Sequence, residues 1–215
     1  AQPYRHMKRR LAAGGIGDLW TMRLRRDFSR SWFLDFGDRV HPVWESCVHD
    51  IDLALYFAEA PPRRVFAMTS SAAGDAAPSV VSALVEFASG VTATIESAWN
   101  VPDAAPSTLA GALALEGAIA GEAELLASRG SLRQRLVSDA LVEWGEDGVA
   151  APDLSLWPEE GGRLGGALRA ELAHAHDVFL GKATNDVMPF EHALWGVQIA
   201  EAIIESLDTQ APVTL

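Results

Sequence analysis

Four polar residues, Glu45, His49, Asp52 and Tyr56, recur at steps of four, three and four in a segment that is rich in apolar residues. This spacing puts them in one line along a helix, because residues three or four apart share a helix face. A carboxylate one turn before an imidazole can hydrogen-bond one ring nitrogen and fix the tautomer, which leaves the other nitrogen to exchange a proton with a ligand. The line therefore indicates general acid–base chemistry. The alternative is that His49 and Asp52 bond to neighbouring backbone and only seat the helix.

The segment that carries this line, residues 44–58, has the composition of a largely buried helix. Val48, Ile51, Leu55 and Ala58 repeat at helical spacing and form an apolar stripe, and most neighbouring positions are apolar as well. Because unpaired charge is costly to bury, the polar line must either pair internally or face a wet cleft. Both arrangements are compatible with the spacing.

The rest of the chain supplies a sheet and three further helices. Alternating apolar and polar residues predict strands, whereas apolar residues three or four apart predict helices. The predicted strands are residues 19–26, 64–70, 80–87 and 91–99, with shorter candidates at 109–115, 122–127, 131–137 and 140–144 and an edge strand at 212–215. The predicted helices are residues 3–13, 164–179 and 193–207, and the predicted loops are residues 27–43 and 145–166. Strands in the middle with helices at the ends predict one α+β domain over residues 1–215: a mainly antiparallel mixed β-sheet, with helices packed on one face and the other face open for oligomerisation.

Composition disfavours several classes of protein. The formal net charge of -12 argues against binding to nucleic acid or to anionic membranes, because an acidic surface repels both. A single cysteine, Cys47, provides no disulfide framework and favours a reducing, cytoplasmic location, and no apolar run is long enough to span a membrane. His174 and His176 are two apart on a helix and so point to different faces, and we predict no metal site. No phosphate-binding glycine loop occurs, so we expect that this chain by itself binds no nucleotide.

An ordered series of motifs runs along nearly the whole chain. Ala-Gly-Gly-Ile-Gly-Asp-Leu at residues 13–19 is followed by a strand, an aromatic loop, Glu45-x-x-x-His49-Asp50-Ile51-Asp52-Leu53, Val65-Phe66-Ala67, Glu86-Phe87-x-x-Gly90 and the closing Ala211-Pro212-Val213. The series resembles the C-terminal domain of the Gfo/Idh/MocA oxidoreductases. The resemblance implies an NAD(P)-dependent sugar or polyol dehydrogenase of two domains, in which a preceding Rossmann domain binds NAD or NADP. That domain is not in this chain, which begins at Ala1 without an initiator methionine, and we expect the chain to be a fragment.

The resemblance also implies roles for particular residues. In that family an Asp-x-x-x-His pair lines the substrate, and the His commonly serves as general acid/base; the matching positions here are Glu45 and His49. Glu45 replaces the usual Asp and extends the carboxylate by one methylene. His41-Pro42-Val43-Trp44 stands where paired glycines often precede the motif, so the cleft is expected to differ in shape. The family's catalytic lysine normally belongs to the Rossmann domain, and the fragment alone should be inactive.

Arg25, Asp27, Trp32 and Trp99 are candidate substrate contacts, because strand ends and the loop before the helix should open on the same cleft. The implied partners are a sugar or polyol substrate and further copies of the chain, in a homodimer or homotetramer assembled through the sheet face. The alternative is a non-catalytic binding or assembly domain that keeps the fold for dimerisation. The cleft distinguishes the two hypotheses: Glu45 and His49 facing solvent beside Trp32 favour the enzyme, whereas burial of both under the sheet favours assembly.

Overall fold

The computed structural model describes residues 1–33, 37–70, 79–102, 119–136, 141, 143–146, 148–150, 156, 158–187 and 189–215. The strand predicted at residues 109–115 lies outside this part of the chain. Residues 137, 140 and 142, which end or interrupt two other short predicted strands, also lie outside it.

The helices form close to their predicted positions. They are α1 (Gln2–Ala12), α2 (Val48–Ala58), α3 (Gly166–Phe179) and α4 (Phe190–Thr209). The helix predicted at residues 44–58 differs in one respect, because it starts with a π-helical turn over Val43–Cys47 before continuing as α2. Two 3₁₀ turns, Arg30–Phe33 and Gly37–Arg39, occupy part of the predicted 27–43 loop.

The strands are β1 (Leu19–Ser29), β2 (Pro62–Ser70), β3 (Val80–Phe87), β4 (Thr92–Val101), β5 (Ile119–Ala127), β6 (Gly130–Arg135), β7 (Glu143–Gly145), β8 (Gly148–Ala150), β9 (Glu159–Glu160), β10 (Arg163–Leu164) and β11 (Val213–Thr214). Seven of them form one sheet in the order β11-β2-β3-β4-β1-β5-β6. All neighbouring strands in this sheet are antiparallel except β1 and β4, so the predicted α+β fold with a mainly antiparallel mixed sheet is confirmed. Two short hairpins, β7–β8 and β9–β10, lie in and around the segment predicted as a loop at residues 145–166.

The core lies between one face of the sheet and the helices α2 and α4. Met22 and Leu24 of β1, and Ile51 and Leu55 of α2, are fully buried there, and burial of such side chains stabilises the fold. A buried hydroxyl ties α4 to the sheet: Ser206 Oγ accepts a hydrogen bond of 2.9 Å from the Ala67 N–H and donates one of 2.7 Å to the Ala211 carbonyl. The core therefore fixes α2 against β1, and α2 carries the polar line.

The opposite face of the sheet carries alternating rows of charge. Arg23 of β1 pairs with Glu124 of β5 at 2.8 Å, and Arg64 of β2 pairs with Glu86 of β3 at 2.9 Å. Leu84 of β3 is also exposed on this face, in register with Thr94 of β4. This face has the alternation of buried and outward residues that the sequence predicts, since side chains alternate across a pleated strand.

Helix α3 forms as predicted, but its apolar stripe is not part of the core. Within the described part of the chain no residue of α3 is buried, and Leu172 and Phe179 are 63% and 88% exposed. The 3.6-residue period correctly indicated a helix. It could not indicate what the stripe packs against. Separately, no helix in the described residues has the length and apolar character needed to cross a membrane.

Candidate functional site

The site begins at a π-helical turn, Val43–Cys47, that leads into α2. Pro42 stands just before the turn, and the backbone N–H groups of Trp44 and Glu45 both donate to the His41 carbonyl. A π turn widens the helix locally, and such turns are frequently found at functional sites. This turn places Glu45 at the start of the polar line.

The polar line occupies the outer face of the helix. Glu45, Asp52 and Tyr56 are half-buried and His49 is exposed, whereas most of the other α2 side chains are buried. His49 therefore faces solvent, as expected for a group that must meet a ligand, while the other three side chains are partly covered.

Glu45 is held by its neighbour rather than by His49. Ser46 Oγ donates to Glu45 Oε2, and Trp99 Nε1 donates to Ser46 Oγ at 2.8 Å. The described residues show no hydrogen bond between Glu45 and His49. In this structure the carboxylate therefore does not fix the tautomer of the imidazole directly, and both groups are free to contact a ligand.

The surroundings of His49 favour its neutral form. Desolvation by neighbouring protein atoms lowers the pKa of His49, and the positive charge of Arg26 lowers it further, while the carboxylates of Asp50 and Glu45 oppose the shift. A neutral imidazole can accept a proton, so the electrostatics suit a general base.

Beneath His49, a buried ion pair joins β1 to α2. Arg26 Nε donates to Asp50 Oδ2, and Arg26 Nη2 donates to Asp50 Oδ1, each at 3.1 Å. Tyr4 of α1 lies close enough to Arg26 to interact with it electrostatically. The side chains of Arg26 and Asp50 are only 14% and 2% exposed, so the pair is an internal connection between β1 and α2.

Asp52 lies one turn beyond His49, beside α3. Burial raises the pKa of Asp52 to about 6, and the negative charge of Glu171 on α3 adds to the shift. The charge of Glu171 therefore disfavours the ionised form of Asp52.

An aromatic cluster supports the site from the sheet side. The ring of Trp99 stacks on Phe33, with centroids 3.6 Å apart and an interplanar angle of 3°, and Phe28 packs edge-on against Phe33 at 6.0 Å. Trp99 is buried, so the structure places it behind Glu45 and Ser46. Trp32 precedes Phe33 in the same 3₁₀ turn.

Arg25 and Asp27 point to the other face of the sheet. Arg26 reaches α2, and side chains alternate along a strand, so its two neighbours project away from His49. Arg25 Nε donates to Asp27 Oδ2 at 2.7 Å, and burial raises the pKa of Asp27 while the Arg25 charge opposes it. Arg25 also lines a pocket of about 130 Å³ together with Ala120, Gly121, Glu122 and Arg135. The structure thus brings Trp99, but not Arg25 or Asp27, to the Glu45 side.

Sequence analysis missed Ser46, Arg26 and Asp50. One signal was available for Arg26, because the alternation that buries Met22 and Leu24 puts Arg26 on the same face, and a cation there needs a partner. The identity of that partner could not be found, since Asp50 is separated from Arg26 by a loop and a turn of helix. As for metals, the described residues contain no group of three or more His, Cys, Asp or Glu side chains that could hold an ion.

Comparison with protein families gives one match. The family described as the GFO/IDH/MocA C-terminal domain matches residues 4–133, which include β1, the π turn and α2. A comparison with curated proteins found no match.

Solved structures with the same fold match all of this chain, including the residues after 133 that the family match does not cover. The myo-inositol 2-dehydrogenase of Lactobacillus plantarum superposes with a TM-score of 0.75 at 20% identity, covering 100% of this chain and 62% of that one. The scyllo-inositol dehydrogenase of Lactobacillus casei with bound NAD(H) and scyllo-inositol gives 0.72 at 17% identity, covering 100% of this chain and 62% of that one. GenD2 from gentamicin A biosynthesis, in complex with NAD, gives 0.74 at 17% identity, covering 100% and 61%.

These structures are too distant in sequence to show more than a shared fold, and the chain spans about three fifths of their length. The family match covers more than half of the chain and includes the Glu45-x-x-x-His49 segment. The chain therefore belongs to the GFO/IDH/MocA C-terminal domain family.

Proposed function

We propose that this chain is the substrate-binding and oligomerisation domain of an NAD(P)-dependent dehydrogenase that acts on a sugar or polyol. The observation that carries the proposal is the position of His49: it is exposed, on the outer face of an otherwise buried helix, with Glu45 one turn earlier on the same face. A solvent-facing acid–base pair on a rigid helix is what a catalytic cleft requires.

His49 acts as the general acid/base in this proposal. During alcohol oxidation its neutral imidazole takes the hydroxyl proton, and during carbonyl reduction it returns that proton. Its lowered pKa keeps the imidazole neutral near pH 7. Glu45 accepts a hydrogen bond from a substrate hydroxyl and orients the substrate toward His49.

The cofactor is NAD or NADP, which supplies the hydride acceptor or donor when bound. Two of the structural neighbours were crystallised with NAD(H) or NAD, which supports this assignment. The sequence contains no phosphate-binding glycine loop. Glu45 and His49 therefore fit substrate binding, and we assign the dinucleotide to a Rossmann domain outside this chain. Without that domain the chain is inactive in this proposal.

The substrate class follows from the neighbours and from the polar line. Inositol dehydrogenases share this fold, and a cyclic polyol presents several hydroxyls to which carboxylate and imidazole groups can bond. Of the substrate contacts predicted from sequence, Trp32 directly precedes Phe33 in the Arg30–Phe33 turn, and we propose it as a substrate contact. Trp99 then has a supporting role, while Arg25 and Asp27 belong to the opposite face.

Oligomerisation through the open sheet face is part of the proposal. The exposed Leu84 and Met68 and the cross-strand charge pairs give that face both apolar and complementary charged positions. A homodimer or homotetramer would bury them. The non-catalytic alternative relies on the same face, so it is the exposure of His49, with Glu45 half-buried one turn earlier, that favours the enzyme.

The test is a substrate screen on the full-length gene product. Cyclic polyols and aldoses are offered with NAD and with NADP, and reduction of the nicotinamide is followed by its absorbance. Turnover with a polyol or aldose supports the proposal. Bound nucleotide without turnover on any pair, in a protein that still forms a dimer by light scattering, supports the assembly alternative.

A further inference from the structure

We propose that Ser46 and Trp99 are positioning residues for Glu45, acting through a hydrogen-bonded chain that runs from the indole N–H through the serine hydroxyl to the carboxylate. The inference rests on the proposed function, in which Glu45 orients the substrate. It assigns a role to two buried residues that are not themselves part of the polar line.

The donors and acceptors of these groups fix the direction of the hydrogen-bonded chain. An indole nitrogen can only donate, so Trp99 Nε1 must be the donor in its 2.8 Å bond to Ser46 Oγ. The serine hydroxyl has one hydrogen, and it is used in the bond to Glu45 Oε2. An ionised carboxylate can only accept. Each group therefore has one role, and none can reverse it without breaking the chain.

The start of the chain is held rigidly. Ser46 is fully buried in the π turn, and Trp99 is buried and stacked on Phe33. Gly37 packs closely on both rings: a Cβ at this position would lie 3.2 Å from Phe33 Cβ and 3.4 Å from Trp99 Cζ3. The indole is therefore clamped between packed groups, and so its N–H direction is set by the core.

The end of the chain leaves one oxygen for a ligand. A glutamate side chain has three rotatable bonds, and fixing it costs rotamer entropy. Anchoring Oε2 through Ser46 fixes the carboxylate before a substrate arrives. Within the described residues, Oε1 has no hydrogen-bond partner, so it remains available to accept a hydrogen bond from a substrate hydroxyl. The hydrogen-bonded chain thus restrains the additional rotatable bond that Glu45 has because of its extra methylene.

The variants needed to test the relay are small. Ser46→Ala removes the middle hydroxyl, Trp99→Phe removes the indole donor but keeps a ring on Phe33, and Glu45→Gln alters the end of the chain. Ser46→Thr keeps the hydroxyl and should restore function. Trp195→Phe is the matched control, because Trp195 is a half-buried tryptophan on α4 that stacks on His192 instead.

The first readout is kcat/KM of the full-length gene product with a substrate from the screen. Ser46→Ala and Trp99→Phe should each lose about 10- to 100-fold, as expected for one hydrogen bond to a charged group. Either change should cost little more when added to Glu45→Gln, because both act through Glu45. Losses that multiply in the double variants would overturn the proposal, as would full activity in Ser46→Ala.

The second readout does not depend on activity. In the full-length protein labelled with ¹⁵N-tryptophan, the Trp99 indole resonance is assigned from the Trp99→Phe spectrum. Glu45→Gln should shift this resonance when Ser46 is present and leave it in place in the Ser46→Ala background. A Trp99 resonance that ignores Glu45→Gln overturns the relay. If the screen finds no turnover but this coupling is present, the proposed function fails while the hydrogen-bonded chain stands as a structural feature.

Discussion

Arg26 on β1 and Asp50 on α2 form a two-bond ion pair in the interior, and Asp50 directly follows the exposed His49 along the helix. The two atom pairs, Nε to Oδ2 and Nη2 to Oδ1, are each 3.1 Å apart, in the parallel geometry by which guanidinium groups recognise carboxylates. This pair fixes the helix that carries the proposed acid–base group. It also places a cation close enough to influence the charge state of His49.

Breaking this pair should destabilise the domain strongly. Arg26→Met leaves Asp50 buried without its partner, and we expect a loss of about 3 kcal/mol in the free energy of unfolding. Arg23→Met is the matched control, since Arg23 lies on the same strand and also pairs with a carboxylate, at 2.8 Å, but is 64% exposed. It should cost no more than about 1 kcal/mol. Urea unfolding measures both, and equal losses would show that the internal pair has no special role.

The titration of His49 should report the same cation. Its pKa should fall below the ordinary value of 6.5, because desolvation and Arg26 both disfavour the imidazolium. Since the folded-state pKa is lowered, its contribution to stability is full above pH 6.5 and declines as the pH falls below that value. NMR titration of the His49 ring protons measures the midpoint. In folded Arg26→Met the midpoint should move upward; a downward movement would contradict the assignment.

Asp52 should make the domain less stable as the pH rises through the weakly acidic range. Its folded-state pKa is raised from 3.8 to about 6, so the folded state binds the proton more tightly than the unfolded state, and stability declines between pH 4 and pH 6. Asp52→Asn should flatten this decline and stabilise the protein at pH 7 by about 1–2 kcal/mol. Glu171→Gln should flatten it only in part, because burial is the larger cause. Thermal unfolding across pH measures the effect, and an unchanged profile in Asp52→Asn would refute it.

Gly17 should tolerate no side chain. Its φ is +83°, and a Cβ there would lie 2.1 Å from Ser128 Oγ, which accepts a hydrogen bond from the Asp18 N–H. Gly90 is a matched control with φ of +84° and open space around its Cβ position. Gly90→Ala should cost about 1 kcal/mol for the backbone alone, and Gly17→Ala should cost more, about 2 kcal/mol or above. Equal unfolding midpoints would mean that the contact with Ser128 relaxes freely.

Local patterns were sufficient for much of the fold. The strand predicted at residues 80–87 forms over Val80–Phe87, because strict alternation ends at a turn where Gly90 supplies the positive φ. The predicted strand 19–26 continues to Ser29, because Asp27 and Phe28 are also buried and keep their places in the sheet. Periodicity thus locates an element well, but locates its ends less well.

The site depended on contacts that no local pattern contains. Spacing predicted the line from Glu45 to Tyr56 on one helix face, and in the structure His49 is exposed while the other three residues are half-buried. The partner of Glu45 could not be predicted, because the bond from Ser46 depends on the π turn and on Trp99, which arrives from β4. The exposed stripe of α3 shows the same limit, since amphipathicity does not name the surface that a helix meets.

The proposed role of His49 as general acid/base is tested by the pH dependence of kcat/KM for alcohol oxidation by the full-length gene product. Wild type, His49→Ala and His176→Ala are compared. His176 is the control, because it is an exposed histidine on α3, away from the polar line. We predict that His49→Ala lowers kcat/KM by about 100-fold or more and removes the loss of activity that wild type shows below pH 6.5, while His176→Ala keeps the wild-type profile. A folded His49→Ala enzyme with wild-type kcat/KM across the pH range would contradict the proposed catalytic role of His49.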